Sequence, residues 1–219
     1  MSFSMSALQQ YPAPSQTTTA GPGEFDIIVM DPPWPNRSVR RSRQYQTTDG
    51  SAGPIEALKT SLGQHIGPSG IVACWITNKA AVRETALDLF AAWGLTLIEE
   101  WAWLKVTRNG DSMCSLDGTW RKPYEILLLG CRDAVVHKVS AQPDADISGT
   151  RRRVIAAVPD LHSRKPNLKE LLERLFFGEG KSYRAVELFA RNLTAGWWAW
   201  GDEVLKYNDT ETWSRPCDE

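Results

Sequence analysis

Short apolar runs recur along the chain with room for a helix between several of them: FDIIVM (25–30), IVACWI (71–76), LTLIEEWAWLK (95–105), YEILLLG (124–130) and RRVIAAV (152–158). Runs of this kind, rich in β-branched and aromatic residues, read as strands. What separates them decides the architecture. PIEALKTSLGQHI (54–66) reads as a helix with Pro54 in its first turn, where a missing N–H costs nothing. AAVRETALDLFAAW (80–93) repeats apolar residues at helical spacing, with Asn78 placed to cap it and Gly94 just past its end. PNLKELLERLF (166–176) is a further helix, entered at a proline and closed by Gly178, before SYRAVELFA (182–190) and GWWAWGDEVLK (196–206). Strands alternating with helices predict an α/β fold with a mostly parallel, Rossmann-like sheet and crossover helices on both faces. No GxGxxG follows a strand, so a dinucleotide is not indicated.

Composition narrows the function by exclusion. A chain of 219 residues can bury a full single core. Its net charge of −1 argues against binding a polyanion over the whole surface, so any nucleic-acid contact must come from local patches. Cys74, Cys114, Cys131 and Cys217 form no CxxC pair, and His65, His137 and His162 supply no zinc spacing, which points to an intracellular, metal-free protein. The N-terminus lacks the basic and apolar regions of a secretory signal, and no apolar run is long enough to span a membrane. Residues 1–23 are polar and rich in Pro, Ser and Thr, which predicts a flexible tail ahead of one domain over 24–219. Most of the tryptophans, clustered in WAW (101–103) and WWAW (197–200), are expected in the core.

The first strand ends abruptly on Asp31, Pro32, Pro33 and Trp34. Asp-Pro is a common way to begin a turn, yet in open parallel sheets ligands bind at this carboxyl end. The quartet also offers a particular chemistry. The exocyclic nitrogen of adenine is a poor nucleophile because its lone pair is delocalised into the ring. A carboxylate and a proline carbonyl, each accepting one amino hydrogen, would pull that nitrogen toward tetrahedral geometry and localise the pair for attack. A hydrogen bond to a charged acceptor is worth about 1.5–3 kcal/mol. Trp34 is expected to stack on the base, for about 1–3 kcal/mol more. Next to this corner, RSVRRSR (37–43) brings Arg37, Arg40, Arg41 and Arg43, read as a phosphate clamp beside a pocket that takes adenine from a polyanion. Tyr45 is a stacking candidate, and Asn36, Trp75 and Asn78 stand near strand ends where they would meet the substrate.

DPPW after an apolar strand resembles the N6-adenosine methyltransferases related to the large catalytic subunit of the messenger-RNA enzyme. In order, DPPWPNRSVRRSRQY (31–45), ACWITNKA (73–80), EEWAWLKVTRNG (99–110), RKPYEILLLG (121–130), LHSRKPNL (161–168) and ELFARNLTAGWWAWGDEVLK (187–206) are similar to the methyltransferase-like-four branch of that family. The resemblance implies a Rossmann-like methyltransferase fold using S-adenosylmethionine, with the catalytic motif first and cofactor motifs near the C-terminus. It implies catalytic roles for Asp31, Pro32, Pro33 and Trp34. It places Asp31, Lys165, Glu187, Phe189, Arg191, Asn192, Asp202 and Glu203 around the cofactor. The family carries Asn where Asp202 stands, so the role of that residue is altered: it can accept a hydrogen bond but not donate one.

The activity so implied is methyl transfer to the N6 amino group of adenine in single-stranded or flipped nucleic acid. The branch points to RNA, notably 2′-O-methyladenosine in small nuclear RNA, in the nucleus and by a monomer. DNA adenine is the alternative substrate. A catalytically silent RNA-binding scaffold is the alternative of another class.

Overall fold

Every position of β1 (Phe25–Met30) is buried, because the strand lies inside the sheet and its side chains meet covered faces on both sides. In the computed structural model, residues 21, 23–34, 54–118, 122–132, 150–161, 163–178 and 180–208 are described. They form one seven-stranded sheet in the order β5-β3-β4-β2-β1-β6-β7. The other strands are β2 (Ile66–Ile76), β3 (Thr96–Lys105), β4 (Tyr124–Cys131), β5 (Arg151–Ala157), β6 (Ala185–Leu188) and β7 (Trp198–Trp200). β1 pairs in parallel with β2 and β6, β3 with β5, and β6 with β7. Only β4 runs against its neighbours, β2 and β3. The mostly parallel α/β sheet expected from the sequence is therefore present.

Period-2 alternation divides the core between the two faces. On one face Ile28, Met30, Val72, Cys74 and Leu128 pack under α1 (Pro54–Ser61) and α2 (Ala80–Ala92), which contribute Leu58, Val82, Ala86, Leu89 and Phe90. On the other, Ile27, Val29, Ala73, Trp75, Leu127, Trp101 and Trp103 pack against Leu168 and Leu172, the latter on the short helix α3 (Lys169–Leu172).

Three local expectations are corrected. The helix foreseen over 54–66 stops at Ser61 and passes through one 3₁₀ turn, Leu62–His65, into β2, which starts at Ile66 and not at 71. Residues Gly67–Gly70 bulge between the partners Phe25↔Ile66 and Ile27↔Ile71, so the extra strand length is taken up in a fold of the chain. The helix foreseen over 166–176 is α-helical only from Lys169 to Leu172. It then widens into a π-helical turn, Glu173–Phe177, with the Gly178 N–H donating to the Glu173 carbonyl. Asn78 does not cap α2. Lys79 holds the N-cap position, while the Asn78 amide donates to the Tyr124 carbonyl at 2.9 Å and ties β2 to the start of β4. Gly94 closes α2 as expected, at φ +67°, a conformation that costs a side chain about 1–2 kcal/mol.

One buried acid belongs to the fold. Glu99, 1% exposed, accepts the Trp101 indole N–H at 2.6 Å and two bonds from Arg153 at 2.6 and 3.2 Å. Arg151 lies 3.7 Å away on the same strand as Arg153. The cluster stitches edge strand β5 to β3 where the register of β3 slips between Leu97 and Glu99.

Candidate active site

Because all strands but β4 point the same way, the ends of β1, β2, β3, β5, β6 and β7 gather at one edge of the sheet, and the reversed β4 brings its beginning there. Asp31 stands at the centre of that edge, just past β1. Its side chain keeps 23% of its surface and faces two cations, Lys165 at 3.4 Å and Arg191 at 3.6 Å, both against Oδ2. Burial pushes its carboxyl above the ordinary value and outweighs the pull of Lys165 and Arg191 in the other direction. Both cations stand beyond the 2.7–3.2 Å of an ordinary hydrogen bond.

The next residues set a second acceptor. Pro32 is buried and Pro33 exposed. The Trp34 N–H donates to the Pro32 carbonyl at 2.8 Å, which closes a γ-turn centred on Pro33. Proline restricts φ at the centre of that turn, so the carbonyl is fixed in direction before any ligand arrives. Trp34 was expected to stack on the base. It is 6% exposed, and its indole N–H donates to the Trp75 carbonyl at 2.7 Å, so the ring closes the core beneath the corner. Trp75 is 2% exposed and meets Trp103 edge to face with centroids 6.0 Å apart. A buried indole must find a partner for its N–H, and the carbonyls and rings of the strands supply it.

Lys165 is the hinge of the electrostatics. Its ammonium donates to Glu125 at 2.5 Å and lies 5.7 Å from the centre of the Trp75 ring. Glu125, the second residue of β4, takes Lys105 on its other oxygen at 2.6 Å. Burial alone would raise the Glu125 carboxyl, but Lys165 and Lys105 together bring it below its ordinary value. Arg191 continues the row: besides Asp31 it reaches Glu203 at 3.2 Å and the Ser163 carbonyl at 3.2 Å, and Glu203 also meets Lys206 at 2.7 Å. Opposite charges thus alternate from Lys105 through Glu125, Lys165, Asp31, Arg191 and Glu203 to Lys206.

The loops that carry this row are held in unusual conformations. Ser163 and Phe189 have φ values of 66° and 57°. Side chains rarely adopt this region, and it marks functional sites in many proteins. Gly201 permits the close passage of the last loop: a Cβ there would meet the Ala190 nitrogen at 2.9 Å. The Ala190 N–H donates to the Trp200 carbonyl at 3.1 Å, so β6 and β7 deliver their loops side by side.

Glu187 sits behind the row on β6 and accepts from Thr194 at 3.5 Å, and Thr194 in turn accepts from Asn167 at 3.4 Å. Burial, helped by the charge of Asp31, pushes the Glu187 carboxyl up to about 7 against the opposing effects of Thr194 and Arg164. A cleft of about 230 Å³ opens alongside, lined by Trp103, Asp160, Arg164, Lys165, Asn167 and Asn192 among others. Asp202 is exposed. Asn36, Arg37, Arg40, Arg41, Arg43 and Tyr45 lie outside the described residues. The structure therefore brings Asp31, Lys165, Arg191 and Glu203 into one row, with Glu187 and Asn192 beside it. Three members of the row, Lys105, Glu125 and Lys206, were not foreseen. Among the described residues, no group of three or more His, Cys, Asp or Glu is arranged to hold a metal ion, and no helix is long and apolar enough to cross a membrane.

A Rossmann-like sheet with an acid-Pro-Pro corner at its carboxyl edge and a basic loop facing it defines a class of methyltransferase domains, and comparison with known proteins agrees. Residues 25–203 match the MT-A70 family, and the chain belongs to that family. It is 46% identical over 194 residues to the N6-methyladenosine RNA methyltransferase MTA1 of Cryphonectria parasitica, covering 86% of this chain and 54% of that protein. It is 36% identical over 194 residues to the N(6)-adenine-specific methyltransferase METTL4 of Homo sapiens, covering 85% and 39%. It is 32% identical over 171 residues to a DNA N6-methyl methyltransferase of Caenorhabditis elegans, covering 77% and 42%. The chain thus spans about half the length of these relatives or less.

Proposed function

We propose that the protein transfers a methyl group from S-adenosylmethionine to the N6 amino group of adenine in nucleic acid. The observation that carries the reading is the corner itself: a half-buried carboxylate faced by Lys165 and Arg191, beside a carbonyl whose direction a γ-turn has fixed. Asp31 and Pro32 would each accept one hydrogen of the amino group, draw the nitrogen lone pair out of the ring and aim it for in-line attack. Lys165 and Arg191 favour the ionised, accepting form of Asp31 against the effect of its burial. As nitrogen takes the methyl it becomes cationic, and Asp31 is the nearest base to receive the proton it sheds.

The residues fit the donor by charge. S-adenosylmethionine supplies an electrophilic methyl on a sulfonium, together with an ammonium and a carboxylate. Lys165 is placed to meet the carboxylate, Arg191 and Glu203 can exchange their mutual pairing for ribose hydroxyls, and Asn167 and Asn192 offer amides along the cleft.

The finer reading is RNA as substrate, 2′-O-methyladenosine in small nuclear RNA in particular, acted on in the nucleus by a monomer. Its support is the MTA1 relative, named for RNA methylation. The DNA enzyme among the relatives sets the alternative. The test is transfer of labelled methyl to three single-stranded oligomers identical except that the target is adenosine, 2′-O-methyladenosine or deoxyadenosine, with double-stranded DNA alongside. The expected order is 2′-O-methyladenosine, adenosine, deoxyadenosine. Higher activity on duplex DNA overturns the RNA assignment, and no transfer to any adenine overturns the activity.

A further inference from the structure

We infer that the spur between β3 and β4, residues 106–118, is a platform for the nucleobases flanking the target adenine, with Met113 and Leu116 as its apolar surface and Arg108 and the neighbouring Lys122 as its phosphate contacts. The inference rests on the adenine reading above and adds a second contact surface to it.

The spur is built and not merely a connection. The Thr107 N–H donates to the Asp111 carbonyl at 2.7 Å, the Gly110 N–H donates back to the Thr107 carbonyl at 3.0 Å, and Val106 pairs antiparallel with Ser112. The Met113 N–H then donates to the Lys105 carbonyl at 3.1 Å, the Ser112 hydroxyl to the Cys114 carbonyl at 2.6 Å, and the Lys122 ammonium to the Leu116 carbonyl at 3.4 Å. A segment with this much internal bonding still leaves Met113 and Leu116 each 54% exposed. Single exposed apolar residues are ordinary on protein surfaces. These two are set apart by where they stand. Met113 is bonded to Lys105, the residue whose ammonium begins the row of charges that leads through Glu125 and Lys165 to Asp31. The platform starts beside Lys105, at the same edge of the sheet.

Size and charge choose the occupant. Two side chains are far too small for a protein partner, which needs about 800 Å² of surface on each side. They match one or two unstacked bases, whose faces are apolar and whose edges and phosphates are polar. A thioether is well suited to lie against an aromatic ring. A target adenine drawn into the corner leaves its neighbours splayed and unstacked, and a preformed apolar surface beside it recovers part of the lost stacking. Arg108 is exposed on the same spur, and Lys122 is exposed where its ammonium meets the Leu116 carbonyl, while Asp111 and Asp117 hold the overall charge near balance. Stacking, more than charge, is then the source of affinity here.

The test uses a single-stranded adenine oligomer carrying 2-aminopurine next to the target, mixed with the full chain. The wild-type protein is expected to raise the 2-aminopurine fluorescence, because a base moved from its stacked neighbours onto a thioether and an aliphatic side chain escapes the quenching that base stacking causes. Replacing both Met113→Ala and Leu116→Ala should abolish the rise and weaken oligomer binding about tenfold. The same variant should bind S-adenosylmethionine as the wild type does, which shows it folded. Met113→Leu with Leu116→Met should keep the rise. Arg108→Ala with Lys122→Ala should lower the log–log salt slope of oligomer binding by about one to two. Wild-type rise and affinity in the alanine pair, or loss of the rise in the exchanged pair, overturns the platform. Labelled methyl transfer by the wild type to the same oligomer separates the two readings. A rise without transfer leaves the platform standing and removes the adenine-methylation reading; transfer without a rise does the reverse.

Discussion

Asp31 and Glu99 are both carboxylates faced by two cations, and the protein holds them in opposite ways. Glu99 is sealed: it has charge-assisted bonds at 2.6 and 3.2 Å from Arg153, an indole N–H at 2.6 Å and a second guanidinium near by. Asp31 has its cations at 3.4 and 3.6 Å, and nearly a quarter of its side-chain surface is open. Ordinary hydrogen bonds fall at 2.7–3.2 Å, so the cations around Asp31 hold it more loosely than Arg153 holds Glu99. Distance, more than the count of charges, separates an acid that holds strands together from one that waits for a donor. A satisfied buried charge is structural, whereas a half-satisfied one at the edge of a cleft is a place for chemistry.

The largest expected effect tests the open acid. Asp31→Asn should lower methyl transfer by about 10²–10³-fold, since the amide turns a donor toward one amino hydrogen. It should leave the melting temperature unchanged or slightly higher, because burial disfavours the native charge at this position. Activity near that of wild type would erase the distinction between the two acids. The sealed acid should respond the other way. Glu99→Ala leaves Arg151 and Arg153 facing each other in a buried place and should cost about 3–5 kcal/mol of unfolding free energy in denaturant titrations. Transfer per folded molecule should be retained.

Glu125→Gln sharpens the comparison from inside the row. Released from Glu125, Lys165 should close on Asp31 and occupy the acceptor that substrate needs. The expected result is turnover about tenfold slower with donor affinity, measured by calorimetry, changed much less. Equal losses in both would make Glu125 a general support and not a spacer between Lys165 and Asp31.

The smallest effect concerns Glu187 and depends on pH. Its carboxyl is raised in the fold to about 7 from 4.5, so between those values the folded state holds more protons than the unfolded one. The stability this gives is present below about pH 4.5 and is lost as pH rises through about 7. Glu187→Gln stays neutral throughout. Its melting temperature should match wild type near pH 4.5 and exceed it at pH 8, and a gap that does not widen with pH would count against a protonated Glu187.

Much of this was legible in the sequence, and what was missed has physical causes. The strands announced themselves through β-branched runs, and Asp31, Lys165 and Arg191 were placed together by motif before any geometry. Glu125 was not singled out because the direction of a strand is not written in its composition. Only the reversal of β4 carries the acid of YEILLLG to the edge that holds Asp31, and an acid opening an otherwise apolar strand was the signal available. Trp34 and Trp75 were assigned to the substrate, although an aromatic beside a functional acid can serve a base or the core equally well. Parity puts Trp75 on the face of β2 that it shares with Ile71 and Ala73. The helix over 166–176 was overestimated because spacing alone does not register where the turn widens to π geometry.

The γ-turn at Pro33 also limits how far the proposed reaction can run. A carbonyl oxygen has two lone pairs, and the Trp34 N–H already occupies one at Pro32. One remains for substrate, and with Asp31 the corner grips two hydrogens on one nitrogen, the number a primary amine brings. Once methylated, the nitrogen keeps a single hydrogen and loses half of that grip, so the product is a poor substrate for the same site. The turn thus acts as a counter that stops at one, and prolonged incubation with excess donor is expected to yield monomethylated adenine alone; mass spectrometry that found N6,N6-dimethyladenine would contradict it.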